Sequence, residues 1–346
     1  MSLVEDLVWL VDIPSVTGDE RLLRDAVADR LSSTVATELV GESLVAGHQT
    51  GKPRIDLYGH LDTVPQNGNL PARVDGERVH GLGTTDMKSG LALMLAVLES
   101  PAVAEGPYDV VAVFYDREEG PSAENGLEIV LDQVDHLADA ELAVVMEPTD
   151  NELQLGCQGT MNATVSFNGL AAHSARPWLG ENAVTKAGEW LAEMHRRRAR
   201  DMNVAGLIFK ETFVVTTASG GVARNVIPGS FTLNVNHRYP PDRSAEEAER
   251  ILAEVCAAAD EFEVIDRAAA APIPTDNRHV ARLKTCGVAK VAAKTAWTDV
   301  ARLTERGIAA VNFGPGEVAL AHRADESVSI AALEEGWSVL ERFLTS

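Results

Sequence analysis

The chain has 346 residues, of which 52 are acidic and 30 are basic, so its formal net charge is −22. A protein this acidic is not expected to have nucleic acid as its main partner, because phosphate binding needs a basic surface. Hydrophobic residues make up 45% of the chain and charged residues 24%, which is typical of a globular protein and excludes global disorder. The length predicts two domains, or one large α/β domain with an insertion.

The cysteines and the N-terminal segment indicate the environment of the protein. Cys157, Cys256 and Cys286 are too few and too scattered for a disulfide framework or a thiolate zinc site. Glu5 and Asp6 lie where a signal peptide would carry positive charge. No window approaches the roughly 18 consecutive apolar residues that a transmembrane helix needs. The sequence therefore predicts a cytoplasmic protein without a membrane partner.

The first part of the chain alternates between predicted helices and predicted strands. The helices are expected at 3–11, 19–33 and 88–99, and the strands at 54–59, 109–115 and 142–146. The segment 109–115 is almost continuously apolar, which is typical of a strand that is covered on both faces. Strands separated by helical stretches indicate a doubly wound, mostly parallel sheet.

The pattern changes near residue 160. Three segments alternate with period two, as antiparallel strands with one solvated face do, and they lie at 161–169, 211–221 and 229–239. Two helices are expected among them, at 182–199 and 244–260. The α/β pattern then returns, with a further strand at 309–313. The predicted architecture is an α/β domain formed by residues 1–159 and 272–346, with an inserted α+β domain at 160–271.

Histidine and carboxylate residues follow the predicted strands, at the end of the sheet where ligands bind in open α/β folds. They are His60, Asp62, Glu118, Glu119, Glu147 and His322, and Asp86 lies in a turn close to Gly81 and Gly83. Convergent groups of this kind need a counter-charge. Nitrogen and oxygen donors without thiolate fit two zinc ions, with cobalt or manganese as substitutes. Asp86 suits a bridging role, and one of the adjacent residues Glu118 and Glu119 could bind metal while the other acts on water.

Five motifs in this order carry a family resemblance. They are GHLDTVP (59–65), GLGTTDMKSG (81–90), YDREEG (115–120), MEPT (146–149) and AHRADE (321–326). Together they resemble the co-catalytic zinc aminoacylase and carboxypeptidase G family. Three other segments resemble the actinobacterial succinyl-diaminopimelate desuccinylase branch of that family, namely GLAAHSARPWLGENA (169–183), RNVIPG (224–229) and KTAWTDVAR (294–302).

The resemblance implies a role for each of these residues. One zinc ion is expected on His60, Asp86 and Glu147, and a second on Asp86, Glu119 and His322. Glu118 is implied as the general base, and Asp62 as the residue that orients His60. The inserted domain is expected to be ferredoxin-like and to serve as a lid and dimer contact, with His173 acting in the site of the other subunit. The peptide bond between Asp86 and Met87 is expected to be cis.

The implied reaction is zinc-dependent hydrolysis of N-succinyl-LL-2,6-diaminopimelate to succinate and LL-2,6-diaminopimelate. Because this substrate carries several carboxylates, Arg176 and Arg238 are the candidates to bind them through their planar guanidinium groups. Asn225 is expected to contact the substrate or support a lid turn, and Thr298 and Arg302 to frame the amine end. The alternatives are an acetylornithine deacetylase-like or other N-acyl-amino-acid deacylase, a dipeptidase, and a small-molecule binder without activity.

Overall fold

The chain forms two compact units in a computed structural model that describes residues 2–346. The first unit comprises the segment ending at Leu155, together with Pro274–Ala292 and Arg302–Ser346, and the second comprises Gly156–Ile273 and Ala293–Ala301. The segment Ala293–Ala301 thus groups with the second unit, whereas the predicted boundaries assign it to the first. Its side chains explain the difference, since the indole nitrogen of Trp297 donates to the carbonyl oxygen of Ala269 at 3.2 Å.

The described residues contain eleven α-helices and sixteen β-strands. The helices are α1 (Leu3–Asp12), α2 (Arg21–Leu31), α3 (Lys88–Glu99), α4 (Pro101–Glu105), α5 (Gly126–Gln133), α6 (Ala183–Lys186), α7 (Gly188–Arg196), α8 (Ala245–Val255), α9 (Arg278–Leu283), α10 (Val300–Glu305) and α11 (Ile330–Thr345). The strands are β1 (Ala36–Val40), β2 (Ser43–Gly47), β3 (Arg54–His60), β4 (Arg73–Asp75), β5 (Arg78–His80), β6 (Asp109–Tyr115), β7 (Leu142–Val145), β8 (Leu153–Leu155), β9 (Gly159–Asn168), β10 (Arg200–Val204), β11 (Leu207–Gly220), β12 (Ser230–Tyr239), β13 (Glu261–Ala268), β14 (Val291–Ala293), β15 (Ala310–Asn312) and β16 (Ser327–Ser329).

An eight-stranded sheet forms the centre of the first unit, in the order β1-β2-β6-β3-β7-β15-β8-β14. The four strands β6, β3, β7 and β15 pair in parallel, while β2 and β8 join them antiparallel. All seven residues of β6 are buried, as expected for an apolar strand with both faces covered. A small antiparallel sheet, β16-β5-β4, also belongs to this unit. The predicted doubly wound, mostly parallel sheet is confirmed.

Helix α3 is buried along most of its length and approaches the sheet very closely at Gly90. A Cβ atom at this position would lie 2.4 Å from the carbonyl oxygen of Met146, directly after β7. Glycine therefore allows the start of α3 to pack against the end of β7 without a clash. This contact brings the turn before α3 close to the segment that follows β7, and both segments carry predicted metal ligands.

The second unit is built on a five-stranded antiparallel sheet, in the order β10-β11-β12-β9-β13. Without the edge strand β10, the chain order and pairing are those of a βαββαβ ferredoxin-like unit, as predicted. Its core contains Phe167, Trp190, Leu233 and Leu252, contributed by both strands and helices. The predicted helix at 182–199 is wrong in its extent, because the helical region is divided at Ala187 and ends at Arg196.

None of the helices in residues 2–346 has the length and apolar character needed to cross a membrane.

Candidate active site

The five predicted metal ligands lie at one edge of the first unit's sheet. Each lies at the end of a strand, in a segment that follows a strand, or in a turn before a helix. His60 is the last residue of β3, Glu119 lies four residues beyond β6, and Glu147 lies two residues beyond β7. These three strands are parallel neighbours, so their carboxyl ends meet at the same edge. Asp86 lies in the turn before α3, and His322 lies between β15 and β16.

The ligand atoms form two groups that share Asp86. In the first group, one atom each from His60, Asp86 and Glu147 lie within 4.8 Å of one another, and in the second the same holds for Asp86, Glu119 and His322. The Oδ1 atom of Asp86 lies 3.2 Å from Nε2 of His60, whereas its Oδ2 atom lies 3.3 Å from Nε2 of His322. The two carboxylate oxygens therefore face different histidines, which is the arrangement a bridging carboxylate needs.

Glu118 lies beside the same groups. It forms a third set with His60 and Glu119, again with ligand atoms within 4.8 Å of one another. Its backbone N–H donates to Oδ1 of Asp62 at 3.0 Å, and the N–H of Glu119 donates to Oδ2 at 3.0 Å. A single carboxylate thus holds the backbone of both adjacent glutamates.

Asp62 also contacts the histidine that it is predicted to orient. Its Oδ1 atom lies 3.4 Å from Nδ1 of His60, and its carbonyl oxygen lies 2.9 Å from the same nitrogen. Burial alone would raise the pKa of Asp62, but hydrogen bonds from His60 and from two backbone N–H groups lower it, so the group is ionised. A proton on Nδ1 leaves Nε2 of His60 directed at Asp86, as a metal-ligating histidine requires.

Electrostatic coupling stabilises protons on both imidazoles. Burial opposes the charged form of His60, but hydrogen bonds to Asp62 and Asp86 raise its pKa well above the usual value. Hydrogen bonding to Asp86 raises the pKa of His322 to about 9. Burial raises the pKa of Glu119, while hydrogen bonds from the two histidines lower that of Asp86 in spite of its burial. A cation bound here would replace these protons, so its affinity must depend on pH.

The sequence reasoning missed Glu326, which holds the turn that carries Asp86. Its side chain is buried, and its carboxylate accepts the backbone N–H groups of Gly83 at 2.9 Å, Thr85 at 2.8 Å and Asp86 at 3.0 Å. Glu326 follows His322 by four residues, so one short segment both supplies a ligand and holds the turn of another. The only sequence feature that could have indicated this role is the position of Glu326 in the AHRADE motif. Its hydrogen-bond partners lie about 240 residues away along the chain, so no local pattern connects them to it.

Lys88 was also missed, although it follows Asp86 by two residues. Its ammonium group is buried and donates to the carbonyl oxygens of Leu10 and Ile13, each at 2.9 Å. Burial lowers the pKa of Lys88 to about 7. The lysine satisfies carbonyl groups at the end of α1 and thereby ties that helix to the start of α3.

The peptide bond between Asp86 and Met87 is cis, which confirms the prediction.

Three predicted residues of the second unit are brought together. His173 forms an isolated β-bridge with Val226, and the N–H of Ser174 donates to the carbonyl oxygen of Asn225 at 2.9 Å. The N–H of Arg176 donates to the carbonyl oxygen of His173 at 2.8 Å, which closes a turn. The side chains of His173, Arg176 and Asn225 are therefore presented by two adjacent exposed loops.

The ring of His173 has a defined hydrogen-bonding role within its turn. Its Nδ1 atom accepts the backbone N–H of Ala175 at 3.1 Å. In the neutral imidazole the proton then lies on Nε2, which is a donor. This exposed histidine can donate a hydrogen bond to an oxygen atom of another molecule.

The remaining predicted residues lie in different environments. Arg238 is half-buried on β12, and its Nε atom donates to Oδ1 of Asn236 at 3.2 Å. Thr298 is buried in the second unit. Arg302 donates to Glu128 at 2.5 Å and to the hydroxyl group of Ser122 at 2.8 Å, with its side chain only 9% exposed. These bonds tie α10 to the region around α5, so the geometry favours a structural role for Arg302 over the predicted contact with substrate.

Two known proteins are similar to this chain over nearly its whole length. A Mycobacterium tuberculosis protein, provisionally described as a succinyl-diaminopimelate desuccinylase, is 38% identical over 346 residues, which cover 99% of this chain and 97% of that protein. The succinyl-diaminopimelate desuccinylase of Corynebacterium glutamicum is 34% identical over 347 residues, covering 97% of this chain and 94% of that protein.

A solved structure shares the fold at much lower sequence identity. The aminopeptidase PepT of Bacillus cereus superposes with a TM-score of 0.79 at 17% identity, covering 99% of this chain and 97% of that one. The family model described as peptidase family M20/M25/M40 matches residues 57–346. This range includes every predicted metal ligand and both glutamates that follow β6. The chain therefore belongs to peptidase family M20/M25/M40.

Proposed function

We propose that this chain hydrolyses N-succinyl-LL-2,6-diaminopimelate to succinate and LL-2,6-diaminopimelate with two zinc ions. The observation that carries the proposal is the carboxylate of Asp86, whose Oδ1 faces His60 and whose Oδ2 faces His322. The choice of substrate is supported by the Corynebacterium glutamicum relative, which is named for this reaction and is matched over 94% of its length.

The donor set fits two divalent cations. Each of the two groups offers one imidazole nitrogen and two carboxylates without thiolate, and all its ligand atoms lie within 4.8 Å of one another. The first ion would be held by His60, Asp86 and Glu147, and the second by Asp86, Glu119 and His322. Cobalt and manganese accept the same donors. When bound, the ions would act as Lewis acids that polarise the amide carbonyl and lower the pKa of bound water to near neutral pH.

Glu118 is the general base in this proposal. It takes a proton from the water whose oxygen attacks the succinyl carbonyl carbon, and it delivers that proton to the amine nitrogen as the carbon–nitrogen bond breaks. Water is thereby divided between the two products, with hydroxyl on succinate and hydrogen on the amine. Asp62 positions the base, because its carboxylate accepts the N–H of Glu118 while it contacts His60.

The second unit supplies substrate contacts in this proposal. His173 of the partner subunit donates a hydrogen bond to the oxygen that becomes negative during attack, an arrangement that requires a homodimer. Arg176 and Arg238 bind substrate carboxylates, since a guanidinium group can bond to both oxygens of one carboxylate. Asn225 supports the loop or contacts substrate, and Thr298 lies toward the amine end. Arg302 has no part in the proposal because Glu128 and Ser122 occupy its guanidinium group.

The proposal also assigns the two domains. Residues 1–159 and 272–346 form the catalytic domain, apart from Ala293–Ala301, which groups with the second unit, and residues 160–271 form the inserted lid and dimerisation domain. Support comes from the position of the two ligand groups, all of whose members belong to the first compact unit.

The test is hydrolysis by the zinc-loaded protein of three substrates at equal concentration: N-succinyl-LL-2,6-diaminopimelate, N-acetylornithine and a dipeptide. The expected result is zinc-dependent turnover with the highest kcat/KM for the succinyl substrate. Faster hydrolysis of acetylornithine or the dipeptide would overturn the choice of substrate. Full zinc content without turnover of any of the three would favour a binding protein instead.

A further inference from the structure

A cavity of about 380 Å³ in the second unit is lined by four arginine residues. Arg197 and Arg198 connect α7 to β10, Arg200 begins β10, and Arg243 precedes α8. The ring of Phe213 on β11 forms part of the wall. Pockets for small molecules commonly have volumes from about 300 Å³ upward, with apolar walls and a few polar groups. The cavity therefore has the size of a small-molecule site, but its lining is richer in charged groups.

The guanidinium group of Arg243 is largely buried in this lining, with 12% of its side chain exposed. Its Nη1 atom donates to the buried carboxylate of Glu211, which also lies 3.3 Å from Nε2 of His237. Within residues 2–346 this guanidinium group makes no other hydrogen bond to protein. A guanidinium group carries five N–H donors, so one bond to Glu211 leaves most of them unused. The remaining donors of Arg243 are available to an occupant of the cavity.

The other three arginines, unlike Arg243, lack acidic partners. Arg197 lies over the ring of Phe213, 5.6 Å from its centroid, and Arg198 donates to the carbonyl oxygen of His195 at 3.2 Å. Across the described part of the chain, no carboxylate oxygen lies within 4.0 Å of a side-chain nitrogen of Arg197, Arg198 or Arg200. These contacts leave three guanidinium charges without a counter-charge, although the whole chain has a net charge of −22.

The two acidic residues of the lining do not supply this counter-charge. Glu211 is paired with Arg243, and Glu254 is paired with Arg250 at 2.5 Å. The lining therefore has an excess of positive charge around an open volume. Guanidinium groups bind carboxylate and phosphate through two parallel hydrogen bonds, which favours oxyanions over halide ions.

We propose that this cavity binds a small oxyanion with at least two negative charges, either a phosphate ester or a dicarboxylate. Arg243 binds the anion from the inside, and Arg198 and Arg200 bind it from the rim. The cavity is separate from the proposed substrate contact at Arg238. Phe213, which lines the cavity, pairs in register with His237, the residue before Arg238 on β12. Consecutive residues of a strand point to opposite faces of the sheet, so Arg238 lies on the face opposite the cavity.

The test compares three full-length, zinc-loaded proteins by isothermal titration calorimetry with inorganic phosphate and with glutarate at constant ionic strength. They are the native chain, the double variant Arg198→Ala/Arg200→Ala, and the matched control Arg196→Ala. Arg196 belongs to the same basic run but does not line the cavity. Binding at the metal ligands is common to all three proteins, so differences between them report on the cavity.

The native chain is expected to bind at least one probe with saturation, and the tighter probe identifies the class of ligand. The double variant should bind about tenfold more weakly, while Arg196→Ala should stay within about twofold, since charge-assisted hydrogen bonds depend on geometry. Equal weakening in both variants would show diffuse surface charge and overturn the proposal. A double variant with unchanged anion affinity but an altered sedimentation coefficient would show a contact between copies of the chain and would also overturn it.

Discussion

Replacing Glu326 should weaken metal binding even though its carboxylate lies in neither ligand group. Three backbone N–H groups, of Gly83, Thr85 and Asp86, donate to this carboxylate at 2.8–3.0 Å. In Glu326→Ala these donors lose their partner, and the turn that directs Asp86 toward two histidines is no longer held. We expect the protein to fold with lower stability and to bind zinc more weakly.

The magnitude follows from the hydrogen bonds. A hydrogen bond to a charged group contributes about 1.5–3 kcal/mol, and about 1.4 kcal/mol changes an equilibrium constant tenfold. If the order of the turn contributes the equivalent of one such bond to metal binding, zinc affinity falls by roughly 10- to 100-fold, the range typical of groups that orient metal ligands. Glu326→Gln keeps an oxygen for Thr85 and Asp86 but places an amide against the N–H of Gly83, so its loss should be intermediate.

The assay is competition with a chelator, together with the visible spectrum of the cobalt-substituted protein. The matched control is Asp325→Asn, since the adjacent Asp325 is exposed and pairs only with Arg323 among the described residues. A shifted cobalt spectrum in Glu326→Ala and an unchanged one in Asp325→Asn would support a positioning role. Native zinc affinity and a native cobalt spectrum in a folded Glu326→Ala protein would refute the reasoning.

Three further predictions concern the base, the protons and the dimer. Glu118→Gln should lower kcat by a factor of about 10²–10⁴ with two metals still bound, whereas Glu119→Ala should lower the metal content itself. A rate above about a tenth of native in fully loaded Glu118→Gln would contradict the assignment of Glu118 as the base. The pKa of His322 is raised to about 9, so the folded metal-free protein keeps this proton at pH values where the unfolded chain has released it. The free energy of unfolding should therefore fall as pH rises from about 7 to about 9. Chemical denaturation of the metal-free protein at these pH values should show this slope, and His322→Gln should reduce it. His173→Ala should lower kcat by about 10²–10³ at unchanged zinc content. Mixing it with Glu118→Ala and allowing subunits to exchange should restore about a quarter of native activity, since half the dimers are mixed and each has one complete site of two; proven exchange without activity would exclude action across the interface.

Local pattern was sufficient for much of the first unit. The mostly apolar run at 109–115 forms β6 with those bounds, and 88–99 forms α3, because elements that are covered on nearly all sides are rich in apolar side chains. The ligand-bearing turns were also predictable, since a polar residue directly after a buried parallel strand reaches the edge where ligands bind. The helix predicted at 182–199 was less reliable, because Gly188 weakens helical preference and the segment is divided next to it.

The sequence by itself determined the order of the ligand-type residues along the chain, the alternation that builds each sheet, and the resemblance that its motifs carry. Only the tertiary structure decided which oxygen of Asp86 faces which histidine, that Glu326 holds the Asp86 turn, and that Arg302 is taken by Glu128. The physical reason is distance along the chain: Glu326 and Asp86 are 240 residues apart, and Arg302 and Glu128 are 174 apart. Periodicity and propensity act over a few turns of chain, whereas these contacts exist only after packing has brought distant segments together.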